Sequence, residues 1–165
     1  MNVHTLHRKQ FIPQPRSRVF AFFEAPENLV RLTPAWLGFH ILTPSPVTMG
    51  VGALIDYTIR WLGIPVRWRT LITAYDPPLR FVDEQIKGPY SLWHHSHTFE
   101  EVSGGTQMVD EVHFSLPFGF LGDIAHGLVV RRQLEQIFDY RSVVIDQLLR
   151  GDKGTIPSAR QLQLG

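Results

Sequence analysis

The 165-residue chain contains no cysteine. A disulfide framework, a thiolate nucleophile and a zinc site with sulfur ligands are therefore excluded. Charge is also scarce. Charged residues are 19% of the chain, and 16 Lys and Arg against 15 Asp and Glu leave a net charge of +1. Such a balance gives no general attraction to nucleic acid or anionic membranes. Arg131 and Arg132 are the only adjacent arginines, and no basic stripe is interleaved with exposed aromatics, so no nucleic-acid partner is expected. No window approaches 18 uninterrupted apolar residues, and the start "MNVHTLHRKQ" lacks an apolar signal core. These absences lead to two expectations, no integral membrane segment and a cytoplasmic location. Internal repeats and low-complexity blocks are also lacking.

What is present is a chain long enough for one sizeable core, with a 44% hydrophobic fraction. Thr5 to Ile12 reads as a strand stopped by "PQP". Arg16 to Phe23 and Glu27 to Trp36 read as short helices, because Pro15 and Pro26 sit where a helix begins. Strand-like runs separated by turn residues then follow: Phe39–Thr43, Gly52–Leu62, Val66–Ala74, Phe81–Ile86, Tyr90–Val102 and Thr106–Leu116. After Gly122 apolar residues recur at threes and fours from Ile124 to Leu149, which predicts an amphipathic helix of about seven turns. Asp123 suits the positive end of its dipole and Gly151 a C-terminal cap. The last segment, "GDKGTIPSARQLQLG", has no periodicity and reads as a flexible tail, residues 151–165, after a single domain over 1–150. The fold class is α+β: an antiparallel sheet that buries one face against the long helix.

Alternation sorts the strand residues onto two faces. In "SLWHHSHTFEE" one face carries Trp93, His95, His97 and Phe99, and the other carries Leu92, His94, Ser96, Thr98 and Glu100. The aromatic face should point inward, leaving His94 at the surface. A two-residue turn at Gly104-Gly105 would set Phe99 opposite Asp110, His97 opposite Val112 and His95 opposite Phe114. Met108, Asp110, Val112, Phe114 and Leu116 then face inward, with Asp110 diagonal to His97. On Val66–Ala74 the inward set is Val66, Trp68, Thr70 and Ile72, with Arg67 and Arg69 outside. On Phe81–Ile86 hydrophobicity prefers Val82, Glu84 and Ile86 inward, and periodicity does not decide.

The motifs F-x-D-x-Q-x-x-G-P (81–89), W-x-H-x-H-x-F-E (93–100), G-T-x-M-x-D (105–110) and L-P-F-G (116–119) together give the chain a family likeness. Over roughly residues 3–150 it resembles the START-like (SRPBCC) ligand-binding superfamily, in particular the bacterial branch near polyketide cyclases and dehydrases. That resemblance implies a helix-grip fold, in which a curved seven-stranded sheet wraps a long helix around an apolar cavity. It also favours Phe81, Asp83 and Gln85 as the inward set, and it implies that short helices bearing Phe22, Phe23, Leu29 and Trp36 gate the cavity mouth.

These registers place Trp68, Thr70, Asp83, Gln85, Trp93, His95, His97, Phe99, Asp110 and Phe114 together as candidate ligand-binding residues. Trp68, Trp93, Phe99 and Phe114 would be walls, while Asp83, Gln85, His95, His97 and Asp110 would be a polar anchor. Buried ionisable groups must be paired or neutral, so a self-satisfied structural network is the bland reading of the same residues. The expected function is binding of a small, largely apolar molecule that is lipid-, polyketide- or aromatic-like. One alternative is a cyclase- or dehydrase-like enzyme using an Asp–His pair as general acid or base, with His97, His95 and Asp110 as catalytic candidates. Another is an interaction module whose cavity is filled by side chains. His95 and His97 lie about 6.6 Å apart along a strand and with Asp83 or Asp110 could reach one ion. His-x-His strands are common without metal, however, and the resemblance implies none; no metal and no cofactor are expected. Trp36, Trp61, Trp68 and Trp93 read as core, and Arg141 as a solvated helix position in preference to a cap for a ligand carboxylate. A homodimer is compatible with the sequence.

Overall fold

The computed structural model describes residues 2–61, 63–117 and 129–150. Seven strands form one antiparallel sheet: β1 (His4–Ile12), β2 (His40–Ile41), β3 (Leu54–Trp61), β4 (Ile64–Asp76), β5 (Arg80–Lys87), β6 (Leu92–Val102) and β7 (Gly105–Ser115). Their order across the sheet is β1-β7-β6-β5-β4-β3-β2. Only β1 lies away from its sequence neighbour, so β2 to β7 are a meander and β1 closes its far edge on β7. Between β1 and β2 run α1 (Arg16–Phe23), α2 (Leu29–Leu32) and two single 3₁₀ turns at Pro26–Asn28 and Ala35–Leu37. The expected second helix, Glu27 to Trp36, is thus broken. Pro34 has no N–H to continue it and pushes Thr33 to extended geometry, φ −113° and ψ 128°. Among the described residues no helix is long and apolar enough to cross a membrane.

The long helix α3 spans Arg131–Arg150 and buries Leu134, Phe138, Arg141, Ile145 and Leu149. These positions are three or four apart, so they form one stripe facing the sheet. The start expected at Asp123, the cap at Gly151 and the tail 151–165 lie outside the described residues. Two bulges disturb the β4–β5 ladder, at Arg69/Thr70 and Ile72/Ala74. Bulges add local twist and bend, and here they curve the sheet across α3.

One register differs from expectation. Val102 pairs with Gly105, so the two-residue turn is Ser103-Gly104, and Gly104 supplies the positive φ of 82°. His97 is consequently directly opposite Asp110, and His95 opposite Val112. The slip is two residues, an even number, so every side chain keeps the face expected of it. Gly105 is also required at its position: a Cβ there would stand 2.3 Å from the Ile12 carbonyl oxygen and 2.9 Å from Pro13 Cα. Because both obstacles are backbone, Gly105→Ala is expected to lose about 1–3 kcal/mol of stability through overpacking at the β1–β7 edge. Urea unfolding checks this, and an unchanged midpoint would mean that the edge yields freely.

The core falls into two clusters. One gathers Ile12, Val19, Phe20, Phe22, Phe23, Phe99, Met108, Ile145 and Leu149 around α1. The other holds Ile59, Trp68, Tyr90, Val112, Phe114, Leu134 and Phe138 near the start of α3. Three of the four tryptophans follow expectation, being buried or packed against the second cluster, but Trp36 is 47% exposed on its 3₁₀ turn.

Candidate functional site

Between the two clusters lies a cavity of about 170 Å³. Its walls are mostly apolar and aromatic, drawn from α1 and α2 (Phe23, Leu29), β3 (Ile55, Tyr57, Ile59), β4 (Trp68, Ile72) and α3 (Leu134, Ile137, Phe138). The rings interlock. Tyr57 stacks on Trp68 at 5.7 Å, Trp68 meets Trp93 edge-on at 5.2 Å, and Tyr90 leans on Trp93 at 4.9 Å. Thr70 brings a hydroxyl into this wall, but the Trp68 indole N–H donates to it at 3.1 Å.

At one side the wall becomes ionisable. Asp83, His95, His97 and Arg141 all line the cavity, and Asp110 lies immediately behind them. Opposing strands bring the group together: Asp83 pairs with His95 and His97 with Asp110. Carboxylates accept only, so the imidazoles must donate. His97 Nε2–H donates to Asp83 Oδ2 at 2.9 Å, and His95 Nε2–H to Asp110 Oδ1 at 3.0 Å. His97 Nδ1 is 2.8 Å from Asp110 Oδ1, close enough for strong attraction but without hydrogen-bond alignment. His95 Nδ1 stands 3.6 Å from Asp83 Oδ2. The two imidazole centroids are only 3.8 Å apart, and Phe81 stacks on His97 at 4.2 Å.

Charge distribution in this group follows from burial set against partners. Burial opposes charge on His97, but the contact with Asp110 and the hydrogen bond to Asp83 outweigh it and hold this histidine above its ordinary value. Burial and the neighbouring positive His97 push His95 down. Burial alone would raise both carboxyls. Arg141 and the two imidazoles instead keep Asp110 well below the usual carboxylate range, and His95 and His97 lower Asp83. The shifts run in complementary directions: both carboxyls and His97 are favoured in their charged forms, and His95 in its neutral form, beside the Arg141 guanidinium.

Six of the ten candidate residues line the cavity: Trp68, Thr70, Asp83, Trp93, His95 and His97. Asp110 sits one layer back. Phe99 and Phe114 are wholly within the core clusters, at 1% and 2% exposure. Gln85 shares the inward parity but turns to the β5–β6 connection. Its amide donates to the Tyr90 carbonyl at 2.7 Å and accepts from the Tyr90 N–H at 3.2 Å. His94 is half-exposed and binds Glu84 at 3.0 Å on the outer face. Of the expected gating residues, Phe23 and Leu29 reach the cavity, whereas Phe22, buried in the core cluster, and Trp36 do not.

Arg141 is the main correction. The preferred sequence reading, a solvated position, fails: the residue is 8% exposed and lies 3.7 Å from Asp110. Its guanidinium rests over the Phe23 and Phe138 rings at 5.2 and 5.7 Å, and its Nε and Nη2 are buried without hydrogen-bond partners. A signal for it existed. Arg141 is three residues after Phe138 and four before Ile145, squarely in the apolar stripe. Tyr57 was missed too, although alternation with Ile55 and Ile59 places it inward.

Comparison with known proteins agrees with this architecture. The family described as "Polyketide cyclase / dehydrase and lipid transport" matches residues 12–139. No curated protein matches the sequence. Among solved structures, the protein TTHA0849 from Thermus thermophilus is similar with a TM-score of 0.72 and 16% identity, over 92% of this chain and 100% of that one. The di-domain ARO/CYC protein StfQ from the steffimycin biosynthetic pathway gives 0.68 and 12%, over 90% of this chain and 52% of that one. A Thalictrum flavum norcoclaurine synthase point mutant in complex with a transition-state analogue gives 0.62 and 13%, over 88% and 96%. At these identities the structural likenesses show a common fold, and the sequence match shows the rest: the chain belongs to the polyketide cyclase / dehydrase and lipid transport family of the START-like superfamily, and its sheet and long helix form the helix-grip fold.

Proposed function

We propose that this protein binds a small, largely apolar molecule, of one or two rings, in the cavity between the sheet and α3, with a polar or anionic end on Arg141 and His97. The observation that carries this reading is the asymmetry of the cavity. Aromatic and aliphatic side chains make most of the wall, and one ionisable cluster makes one side, which is the usual construction of a small-molecule site. Size narrows the class. The volume of about 170 Å³ is close to the roughly 150 Å³ of an engineered apolar cavity that takes up benzene. That suits a compact ring system better than a long acyl chain. Arg141 narrows it further. Its two unsatisfied donors would gain hydrogen bonds from a carboxylate, phenolate or enolate oxygen, and a bond to a charged group contributes about 1.5–3 kcal/mol.

The test uses the tryptophans in the wall as reporters. Titration with 2-naphthoate should quench intrinsic fluorescence saturably at one site per chain, with naphthalene itself binding more weakly. Ile59→Trp, which fills the cavity from β3, should abolish the signal while leaving the circular dichroism unchanged. Non-saturable quenching, or equal binding by the filled variant, would overturn the reading and favour a cavity that serves only packing. A specific observation also carries the catalytic alternative: His97 stands between two carboxylates and faces the cavity. Under that reading His97→Gln would abolish turnover of a bound cyclisable polyketide while affecting its affinity little.

A further inference from the structure

The histidine cluster has a geometry that a binding pocket for apolar molecules does not need. Asp83, His95 and His97 each offer one donor atom, and these atoms lie within 4.8 Å of one another. A first-row divalent ion bound at about 2.0–2.2 Å requires donors separated by about 3.0 Å along an octahedral edge or about 3.4 Å along a tetrahedral one. Asp83 Oδ2 is 2.9 Å from His97 Nε2 and 3.6 Å from His95 Nδ1, which brackets those edges.

The remote nitrogens are equally informative. Asp110 Oδ1 lies 3.0 Å from His95 Nε2, which it holds by a hydrogen bond, and 2.8 Å from His97 Nδ1, which it faces without hydrogen-bond alignment, both on the side away from Asp83. A histidine ligand ordinarily gives its other N–H to a carboxylate or carbonyl, which fixes the tautomer and raises ligand basicity. With Nε2–H of His95 committed to Asp110, the lone pair of Nδ1 is left on the Asp83 side. Arg141, 3.7 Å from Asp110 Oδ1, sets a positive charge beside that supporting carboxylate. All three donor residues line the cavity, so the vacant coordination positions would face a bound molecule.

We propose that Asp83 Oδ2, His95 Nδ1 and His97 Nε2 form a site for one first-row divalent transition-metal ion, oriented by Asp110 and open toward the cavity. Two histidines and one carboxylate on one face, with positions left open, suit such ions and not the all-oxygen preference of calcium or magnesium. The ion would displace the proton that His97 Nε2 shares with Asp83. The sequence pattern admitted an ion on His95 and His97 with Asp83 or Asp110, but led to no metal here because His-x-His strands are common without one and the family resemblance implies none. This inference shares His97 with the ligand reading above but does not rest on it, and its test does not involve an organic ligand.

The experiment is calorimetric titration of Zn2+ into untagged full-length protein stripped with EDTA and desalted, with Co2+ absorption as a second readout. The expected result is one ion per chain and a visible Co2+ band from a low-symmetry nitrogen–oxygen site. Asp83→Asn and His97→Gln should each weaken Zn2+ by at least about 100-fold, and Asp110→Asn by about 10–100-fold, the range for lost supporting partners. Replacing His94 and His113, on the outer face, by glutamine should leave affinity unchanged. Circular dichroism verifies each fold, and if His97→Gln does not fold, Asp83→Asn decides. Lack of stoichiometric binding by the native chain overturns the proposal. So does full affinity in Asp83→Asn, or loss of binding in the outer-face variant.

Discussion

Arg141→Met is expected to destabilise the protein by about 3–5 kcal/mol, because it removes one partner of a buried charge pair and leaves the other uncompensated. Arg141 and Asp110 have side chains that are each only 9% exposed, so water cannot replace the lost partner. Their 3.7 Å separation, too long for a hydrogen bond, puts the expectation near the lower end of that range. Methionine keeps the unbranched length that packs against Phe23 and Phe138, so the measured loss reports charge rather than volume. Urea unfolding followed by circular dichroism gives the number. The double variant Arg141→Met with Asp110→Asn should recover part of it, since no buried carboxylate then stands without its cation. Equal stability of Arg141→Met and the native chain would show that the histidines alone balance Asp110 and Asp83.

That residue also marks how far the sequence could be read. Faces were legible because parity is robust. The β6–β7 turn was expected one residue late, which shifts the pairing by two and leaves His95, His97 and Asp110 on the same side of the sheet. What parity cannot supply is depth along the face. Phe99 and Phe114 point the same way as His97, yet the inner face is longer than the cavity, and its ends are packed by Phe20 and Met108 at one end and by Val112 and Leu116 at the other. Gln85 shows a second limit. Its side chain faces inward but bends to clamp the Tyr90 backbone, a contact set by the conformation of the Gly88-Pro89 turn.

Arg141 shows a third limit. An arginine on a helix is normally solvated, and the apolar stripe around it outweighs that prior only if Asp110 is already known to lie opposite. Sequence pattern places residues on faces. Pairing between a helix and a sheet depends on the crossing of the two, which periodicity does not contain. The β5 strand makes the same point, since hydrophobicity preferred the face bearing Val82 and Ile86. The structure buries both Phe81 and Val82 but leaves Ile86 53% exposed at the strand end, and it is Asp83 that reaches the cavity.

Phe99→Ala distinguishes a core residue from a cavity wall, and it is expected to cost about 3–5 kcal/mol. Phe99 is 1% exposed, and its ring packs against those of Phe20 at 5.4 Å, Phe23 at 5.6 Å and Phe81 at 6.1 Å. Truncation therefore opens a void among rings held by α1, β5 and β6, none of which can collapse into it without breaking sheet pairing. A wall residue would behave differently: its removal would only enlarge an existing cavity, cost less and admit larger ligands. Urea unfolding measures the stability, and the affinity for 2-naphthoate, read at low temperature where the variant is still folded, should change by less than about threefold, well under the 1.4 kcal/mol that corresponds to a factor of ten. Phe99→Leu serves if the alanine variant does not fold. A small stability loss with improved binding of larger rings would move Phe99 into the wall and extend the cavity toward α1.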